Sequence, residues 1–293
     1  MTVAEARQLV RDFDEGKIVS EEEEFVFIEA MEFLIDKEHN PGDMMYLGGY
    51  YYEKKLFDLA LKYYEMAATF DYEEAYECLG YIWYYGRTGE KDYKKAFTYF
   101  QKLREKGHLV ATYKVADMYK NGFYVEKNQE EYEKIIENLF PKVQQCRNVF
   151  DPIPEVYTRL AKIRVNQGRK DEAINLYLYA KRVLAQRIQL NGFYGNLSIM
   201  KYLIEDLYKL IDFDEDFFDL FDLFYLLKKP HKVVFHCDER EYVIQSEYDG
   251  AECAVCMNGR WFHDCDEFFA KACVGDKRIT TVGHELYGFH LIE

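Results

Sequence analysis

Three cysteines and a histidine lie within fourteen residues, in the stretch ECAVCMNGRWFHDC at positions 252–265. Cysteine thiolates and histidine nitrogens are the ligands that zinc prefers in small tetrahedral sites. A Cys-x2-Cys pair followed by His-x-Cys supplies enough donor atoms for one such ion. The first hypothesis is therefore a structural zinc site in a small recognition module, with Cys253, Cys256, His263 and Cys265 as ligands.

The turn chemistry inside the same stretch argues against this tetrad. Asn-Gly between two apolar segments is the strongest short signal for a hairpin, and it stands at 258–259. Because side chains alternate along a strand, Cys253 and Cys256 would then point to opposite faces of the sheet. The sequence therefore predicts a hairpin over 252–264 and a helix starting at Asp264, without a bound metal or cofactor.

Another hypothesis for these residues is an enzyme that uses a cysteine–histidine pair. Any thiol near any imidazole could form a nucleophile–base pair, so the residues single out no dyad. The sequence contains no glycine-rich phosphate loop after a strand, no GxSxG and no HExxH. These absences favour a protein that is not an enzyme. The candidate donors lie in the last 63 residues: His231, His236, His263, His284 and His290, with Cys237, Cys253, Cys256, Cys265 and Cys273.

Composition limits the class of partner. The net charge of −15 repels phosphate backbones and anionic lipid heads. No window approaches the roughly 18 consecutive apolar residues of a spanning helix, and the first residues do not resemble a secretion signal. Seven cysteines, an odd number, do not suggest a secreted disulfide framework. We therefore expect a cytoplasmic protein that binds neither nucleic acid nor membranes.

A repeat of about 36 residues runs through the first half of the chain. This offset pairs Ala75 with Ala111 and Gly80 with Ala116. Such small residues predict positions where a first helix approaches its partner helix closely, and the aromatic residues one turn away would fill the groove between pairs. Neither helix can bury its apolar stripe alone, so the units must stack. The small residues in question are Gly48, Gly80 and Ala116 on first helices, and Ala60 and Ala96 on second helices.

The second unit carries the segments LGYIWYYG and DYKKAFTYFQKLREKG, which resemble the two halves of the Sel1-like repeat, LGxxYxxG and DYxKAxxYFxKAAxxG. The shorter first unit and the segment LAKIRVNQGRKDEAINLYLYAK have the spacing of the related tetratricopeptide repeat. The resemblance covers roughly 41–190 and implies a mainly α fold, an α-α superhelix of helix-turn-helix repeats. We expect N-terminal helices over 1–40, this solenoid over 41–229 and a small α+β module over 230–293.

The end of the helical region contains the acidic and aromatic stretch DFDEDFFDLFDLF, at 212–224. Helices are expected over 195–211 and 214–228, the second with Phe217, Phe221 and Phe224 on one stripe. On such a helix the acids would form the solvated face. An alternative interpretation is that they attract a basic partner.

The resemblance also implies a function. In this superfamily the first helix of each pair lines a concave groove, with exposed positions just before and after its central small residue. The proteins act as scaffolds or adaptors in complexes, often in bacterial regulation. We therefore expect a non-enzymatic protein that binds a peptide or protein segment in this groove, although some of its tyrosines could instead pack against a neighbouring helix. The groove residues this implies are Tyr46, Tyr52, Tyr81, Tyr84, Tyr85, Tyr113, Lys114, Asp117, Asn121, Arg159 and Lys162.

Overall fold

The structure, a computed structural model, describes residues 1–17, 20–191, 194–249 and 252–292. The chain divides into two compact units, Met1–Ile135 and Ile136–Glu293. The domain boundaries expected from the sequence, after residues 40 and 229, remain predictions.

The first unit is helical, which confirms the predicted fold class for this part of the chain. Each of its first six helices contacts the next one along the chain, as stacked helix pairs require. The helices are α1 (Val3–Asp14), α2 (Glu21–Glu38), α3 (Pro41–Glu53), α4 (Phe57–Ala68), α5 (Glu73–Tyr85), α6 (Tyr93–Glu105) and α7 (Leu109–Asn121), and α8 (Gln129–Val143) begins in this unit and ends in the second.

Local sequence signals determine where two of these helices begin. Ser20 and Glu23 form a capping box at α2, in which each side chain accepts a hydrogen bond from the other residue's backbone N–H. Asn40 caps α3 by accepting from the Gly42 N–H, and Pro41 occupies the first helical position. Both helix starts can therefore be read from the sequence.

The small residues of the repeats lie where the helices of a pair touch, as predicted. A Cβ atom on Gly48 would lie 2.6 Å from a ring carbon of Tyr64, and one on Gly80 would lie 2.5 Å from a ring carbon of Phe100. Both distances are far shorter than a normal carbon–carbon contact of about 3.5–4.0 Å. Each glycine therefore lets the aromatic ring of the second helix lie directly against the first helix.

The second unit continues with three long helices and then departs from the predicted helix over 214–228. Only a turn of 3-10 helix at Leu220–Asp222 and a four-residue helix form there. Helix begins only at Leu220, because Asp219 caps it there by accepting from the Phe221 N–H. Asp222, expected on the solvated face, is buried, and Lys181 Nζ lies 2.7 Å from one of its carboxylate oxygens. The predicted stripe of three phenylalanines does not form either. Phe221 and Phe224 are buried, but the Phe217 side chain is 82% exposed. The helices are α9 (Ile153–Asn166), α10 (Lys170–Leu190), α11 (Tyr194–Leu207) and α12 (Leu223–Leu226).

A five-stranded antiparallel sheet, in the order β4-β3-β2-β1-β7, forms most of the C-terminal region. The turn between β3 and β4 lies at Asn258-Gly259, where the sequence predicts it. Both residues have positive φ, as a type I′ turn requires. Asp264 caps the following helix. The elements are β1 (Lys232–Cys237), β2 (Arg240–Asp249), β3 (Glu252–Met257), β4 (Arg260–Phe262), α13 (Cys265–Lys271), β5 (Cys273–Val274), β6 (Lys277–Arg278) and β7 (Tyr287–Ile292), with β5 and β6 forming a separate pair.

The segment between α8 and α9 is held by one buried side chain. Arg187 on α10 donates from Nε to the Val149 carbonyl oxygen and from Nη2 to the Asp151 carbonyl oxygen, both at 2.7 Å. Its Nη1 donates to Glu155 Oε1 at 2.7 Å. An irregular segment cannot pair these carbonyls within itself, so the guanidinium fork satisfies them.

Acid is expected to weaken the second unit through Arg164. This buried guanidinium donates to Glu137 Oε2 at 2.9 Å and to Glu172 Oε1 at 2.7 Å. The hydrogen bond from Arg164 lowers the pKa of Glu137 from its usual 4.5. A carboxyl whose pKa is lower in the folded state contributes stability that is complete above its unfolded pKa and is lost as the pH falls through the folded value.

The measurement is the melting temperature as a function of pH in wild type and in Glu137→Gln. Between about pH 5 and 3, the melting temperature should fall less steeply in the variant, because it lacks the titrating group. Glu239→Gln, on an exposed turn, serves as a control with an unchanged slope. Equal slopes in wild type and Glu137→Gln would contradict the prediction.

Candidate peptide-binding surface

A lysine ammonium lies at the centre of the tyrosine cluster in the first unit. Lys114 Nζ on α7 is 5.0 to 5.5 Å from the ring centroids of Tyr81, Tyr84, Tyr85 and Tyr113. It also donates a hydrogen bond to Tyr85 Oη at 3.1 Å. Ring faces attract a cation, so these tyrosines stabilise a charge that little water reaches. All five residues belong to the groove set that the sequence analysis predicts.

Two of these five residues are not exposed as expected. Lys114 is only 7% exposed, and Tyr113 is also buried. The prediction of solvent-facing positions is wrong for both, because the ring contacts pull the ammonium inward over the tyrosine faces. Tyr85, at 45% exposure, is the member that presents most of its ring to solvent.

A second cation extends the cluster, and the sequence analysis missed it. The guanidinium carbon of Arg87 lies 5.3 Å from the Tyr85 ring centroid and 5.9 Å from that of Phe57. The Tyr52 ring packs against Phe57 at 5.1 Å between centroids. We call the connected group the aromatic–cation surface. It consists of Tyr52, Phe57, Tyr81, Tyr85, Arg87 and Lys114.

A signal for Arg87 was present in the sequence. Gly86 ends α5 in the left-handed conformation, with its N–H bonded to the Ile82 carbonyl, and the Arg87 N–H bonds to the same oxygen. Glycine at this position is the usual end of a helix. The reversal carries the next side chain back beside the last turn of α5, where Tyr85 is located.

Tyr84 serves mainly as packing. Its ring lies 5.8 Å from that of Tyr93, 6.3 Å from that of Phe100 and 5.9 Å from that of Phe123. The alternative interpretation, that some of the predicted groove tyrosines pack within the repeats, therefore holds for this residue. Tyr81 has both roles, since it packs edge-on against Phe100 and stacks on Tyr85 at 6.0 Å.

Tyr46 belongs to a different contact. Its hydroxyl donates to Asp14, at the end of α1, and its ring packs edge-on against Phe27 of α2. The structure therefore places it against the N-terminal helices and not with the aromatic–cation surface, because α3 turns this side chain toward α1 and α2.

The remaining predicted groove residues have local partners. On α7, Asn121 donates to the Asp117 carbonyl oxygen at 2.8 Å. In the second unit, Arg159 donates to the Glu155 carbonyl oxygen at 2.8 Å, and Lys162 Nζ lies 2.8 Å from a carboxylate oxygen of Asp206. A groove that runs through all of them remains a prediction.

Two ionisable groups lie near Lys114. Glu77 Oε2 on α5 is 3.5 Å from His108 Nε2, the residue that caps α7. Burial raises the pKa of Glu77, and the charges of His108 and Lys114 act in the opposite direction. The neighbourhood of Lys114 therefore contains one carboxylate that its environment makes harder to ionise.

The candidate zinc ligands are not assembled in the structure. Cys256 is buried, Cys253 is half-buried, and the His263 side chain is largely exposed. The Cys265 thiol donates to the Leu223 carbonyl oxygen at 3.9 Å, and burial raises its pKa. In the part of the chain that the structure describes, the three-donor group with ligand atoms within 4.8 Å of one another is instead Cys237, Asp238 and Glu285.

No helix in the described ranges is both long and apolar enough to cross a lipid bilayer. A comparison with curated proteins finds no match.

Two solved structures are similar in fold. One is a Sel1 repeat protein from Oxalobacter formigenes, 19% identical, with a TM-score of 0.45 over 71% of this chain and 90% of that chain. The other is c5321, described as a protective antigen of uropathogenic Escherichia coli strains displaying an SLR fold. It is 15% identical, with a TM-score of 0.47 over 73% of this chain and 50% of that chain. This chain therefore matches about half the length of c5321.

A family model described as Sel1 repeat matches residues 42–69, 73–108 and 109–131. The first match covers α3 and α4, the second covers α5 and α6, and the third covers α7 and the start of α8. The predicted continuation of the repeats to residue 190 lies beyond these matches. Residues 42–131 therefore match three consecutive Sel1 repeats.

Proposed function

We propose that this protein is a non-enzymatic adaptor that binds a peptide or protein segment on the aromatic–cation surface. Sel1 repeats generally mediate interactions between proteins, and they are typically scaffolds rather than enzymes. The observation that supports this site is the mutual fixing of its rings around Lys114. Tyrosine buries a large rigid area while keeping a polar tip, so it is a common energetic anchor in interfaces.

Preorganisation strengthens this proposal. The Tyr85 ring contacts the Lys114 ammonium and the Arg87 guanidinium, and it stacks on the Tyr81 ring. A side chain that is already ordered loses less conformational entropy when a partner binds. Tyr85 is therefore the residue on which the affinity should depend most.

The test is selection of a displayed random 12-residue peptide library on the purified full-length protein, followed by fluorescence anisotropy with the enriched peptides. Tyr85→Ala should weaken binding by about tenfold or more, the usual loss at an interface anchor. This variant is preferable to replacing Tyr84 or Tyr113, because both of those rings support the fold. Tyr202→Ala, an exposed tyrosine of the second unit, should leave the affinity unchanged.

Two results would contradict the proposal. One is a selection that enriches no peptide family. The other is enriched peptides that bind Tyr85→Ala as tightly as wild type, while both proteins have the same circular dichroism spectrum.

A further inference from the structure

We infer that the segment bound by the aromatic–cation surface is acidic, with a carboxylate that accepts hydrogen bonds from the Arg87 guanidinium and the Tyr85 hydroxyl. This inference rests on the proposed function and names the chemistry of the partner. It is carried by two cations, which lie 5.3 and 5.4 Å from the centroid of one exposed ring, that of Tyr85.

Arg87 presents a charge that is stacked but not paired with an acid. Its guanidinium lies over the Phe57 and Tyr85 rings, and the ion pairs of the described residues do not include it. A stacked guanidinium keeps its in-plane N–H donors free at its edge, and this edge matches the two oxygens of a carboxylate. Because Arg87 is exposed, a partner could reach that edge without moving the chain.

Lys114 prepares the Tyr85 hydroxyl to donate. Tyr85 Oη accepts a hydrogen bond from Lys114 Nζ at 3.1 Å, so the phenolic proton must point away from the ammonium. A hydroxyl that accepts from a cation is polarised and donates more strongly to a further acceptor. The Arg87 guanidinium and the Tyr85 O–H therefore provide two charge-assisted donors close to each other.

The Glu77 carboxylate competes with an acidic partner for the positive charge of Lys114. Glu77 interacts electrostatically with Lys114 and with His108, and its burial disfavours its charged form. It therefore offsets only part of the positive potential around Lys114. Removing its charge should make the surface more attractive to an acidic segment.

The net negative charge of the protein lets the experiment distinguish specific from non-specific binding. A net charge of −15 favours basic peptides over acidic ones wherever attraction is non-specific. A preference for acidic peptides would therefore have to come from a local positive site. The same reasoning makes a preference for basic peptides the natural result if the surface plays no part.

The experiment uses 12-residue display libraries in three matched versions. Each version contains the same aromatic and aliphatic positions, and the remaining positions are Asp and Glu, Asn and Gln, or Lys. The enriched peptides are then measured by fluorescence anisotropy as acid and amide pairs that differ only in Glu→Gln and Asp→Asn. We expect wild type to bind the acidic member at least about tenfold more tightly, as a charge-assisted pair would allow.

Three variants test the assignment. Arg87→Gln should lose most of this preference, and Glu77→Gln should increase it. Lys62→Gln is the matched control, because Lys62 lies over the Tyr63 ring at 4.8 Å, outside the surface, and it should keep the wild-type preference. Melting temperatures verify that every variant is folded.

The outcomes separate the two proposals. Enrichment of amide or basic peptides that still depend on Tyr85 would overturn the acidic partner and leave the adaptor function standing. A preference for acidic peptides that Arg87→Gln does not reduce would also overturn the assignment. If no version yields a peptide that binds, the proposed function itself is contradicted.

Discussion

Replacing Gly48 by alanine should destabilise the first unit by about 1–3 kcal/mol, the usual range for inserting a carbon into a well-packed interior. The new Cβ would lie 2.6 Å from a ring carbon of Tyr64, which is itself buried between α3 and α4. The ring cannot move outward without losing its own packing. Gly80→Ala, with its Cβ at 2.5 Å from Phe100, should have an effect of similar size in the next repeat.

The adjacent residue provides the control. A Cβ on Gly49 would meet only the Tyr64 hydroxyl oxygen, at 4.0 Å, which is an ordinary contact. Glycine inside a helix costs roughly 0.5–1 kcal/mol relative to alanine, so Gly49→Ala should be neutral or stabilising. In thermal unfolding followed by circular dichroism, Gly48→Ala should therefore lower the melting temperature, whereas Gly49→Ala should leave it unchanged or raise it. Equal shifts would mean that the close approach of α3 and α4 is not real.

Replacing Arg187 by methionine should destabilise the second unit by about 3–5 kcal/mol, as expected when one partner of a buried ion pair is removed. The Arg187 side chain is only 7% exposed, and its loss leaves Glu155 and the carbonyls of Val149 and Asp151 without this donor. Methionine is a side chain of similar length. The substitution therefore tests the loss of the guanidinium hydrogen bonds more than a loss of packed volume.

Two further substitutions identify the cause of this loss. Arg187→Lys should recover only part of the stability, because an ammonium cannot reproduce the planar fork that bonds three acceptors. Lys162→Met removes an ion pair whose lysine is 43% exposed, and such exposed pairs contribute at most about 1 kcal/mol. A loss for Arg187→Met no larger than that for Lys162→Met in urea unfolding would refute the assigned role.

The acidic stretch at 212–224 shows where prediction from periodicity fails. The spacing of Phe217, Phe221 and Phe224 is helical, yet the segment forms a helix only over its last residues. Asp222, expected on the solvated face, is instead buried against Lys181, which lies 41 positions earlier in the chain. A local pattern contains no information about such a partner.

What the sequence by itself determined is local. The helix caps at Ser20 and Asn40 and the turn at Asn258-Gly259 each depend on the conformational limits of one or two residues. The repeat of small and aromatic residues, at a spacing of about 36, predicted the resemblance of the first unit to Sel1 repeats. These features could be predicted because steric rules act over a few bonds.

What only the tertiary structure decided is which charges are buried and which residues meet. The sequence predicts Lys114 as a solvent-facing groove residue, whereas in the structure four tyrosine rings from two helices surround its ammonium. Arg87 and Phe57 joined the surface through contacts across helices, and Tyr46 left it for α1 and α2. Desolvation and ring–cation attraction depend on positions in space, and residues distant in sequence supply them.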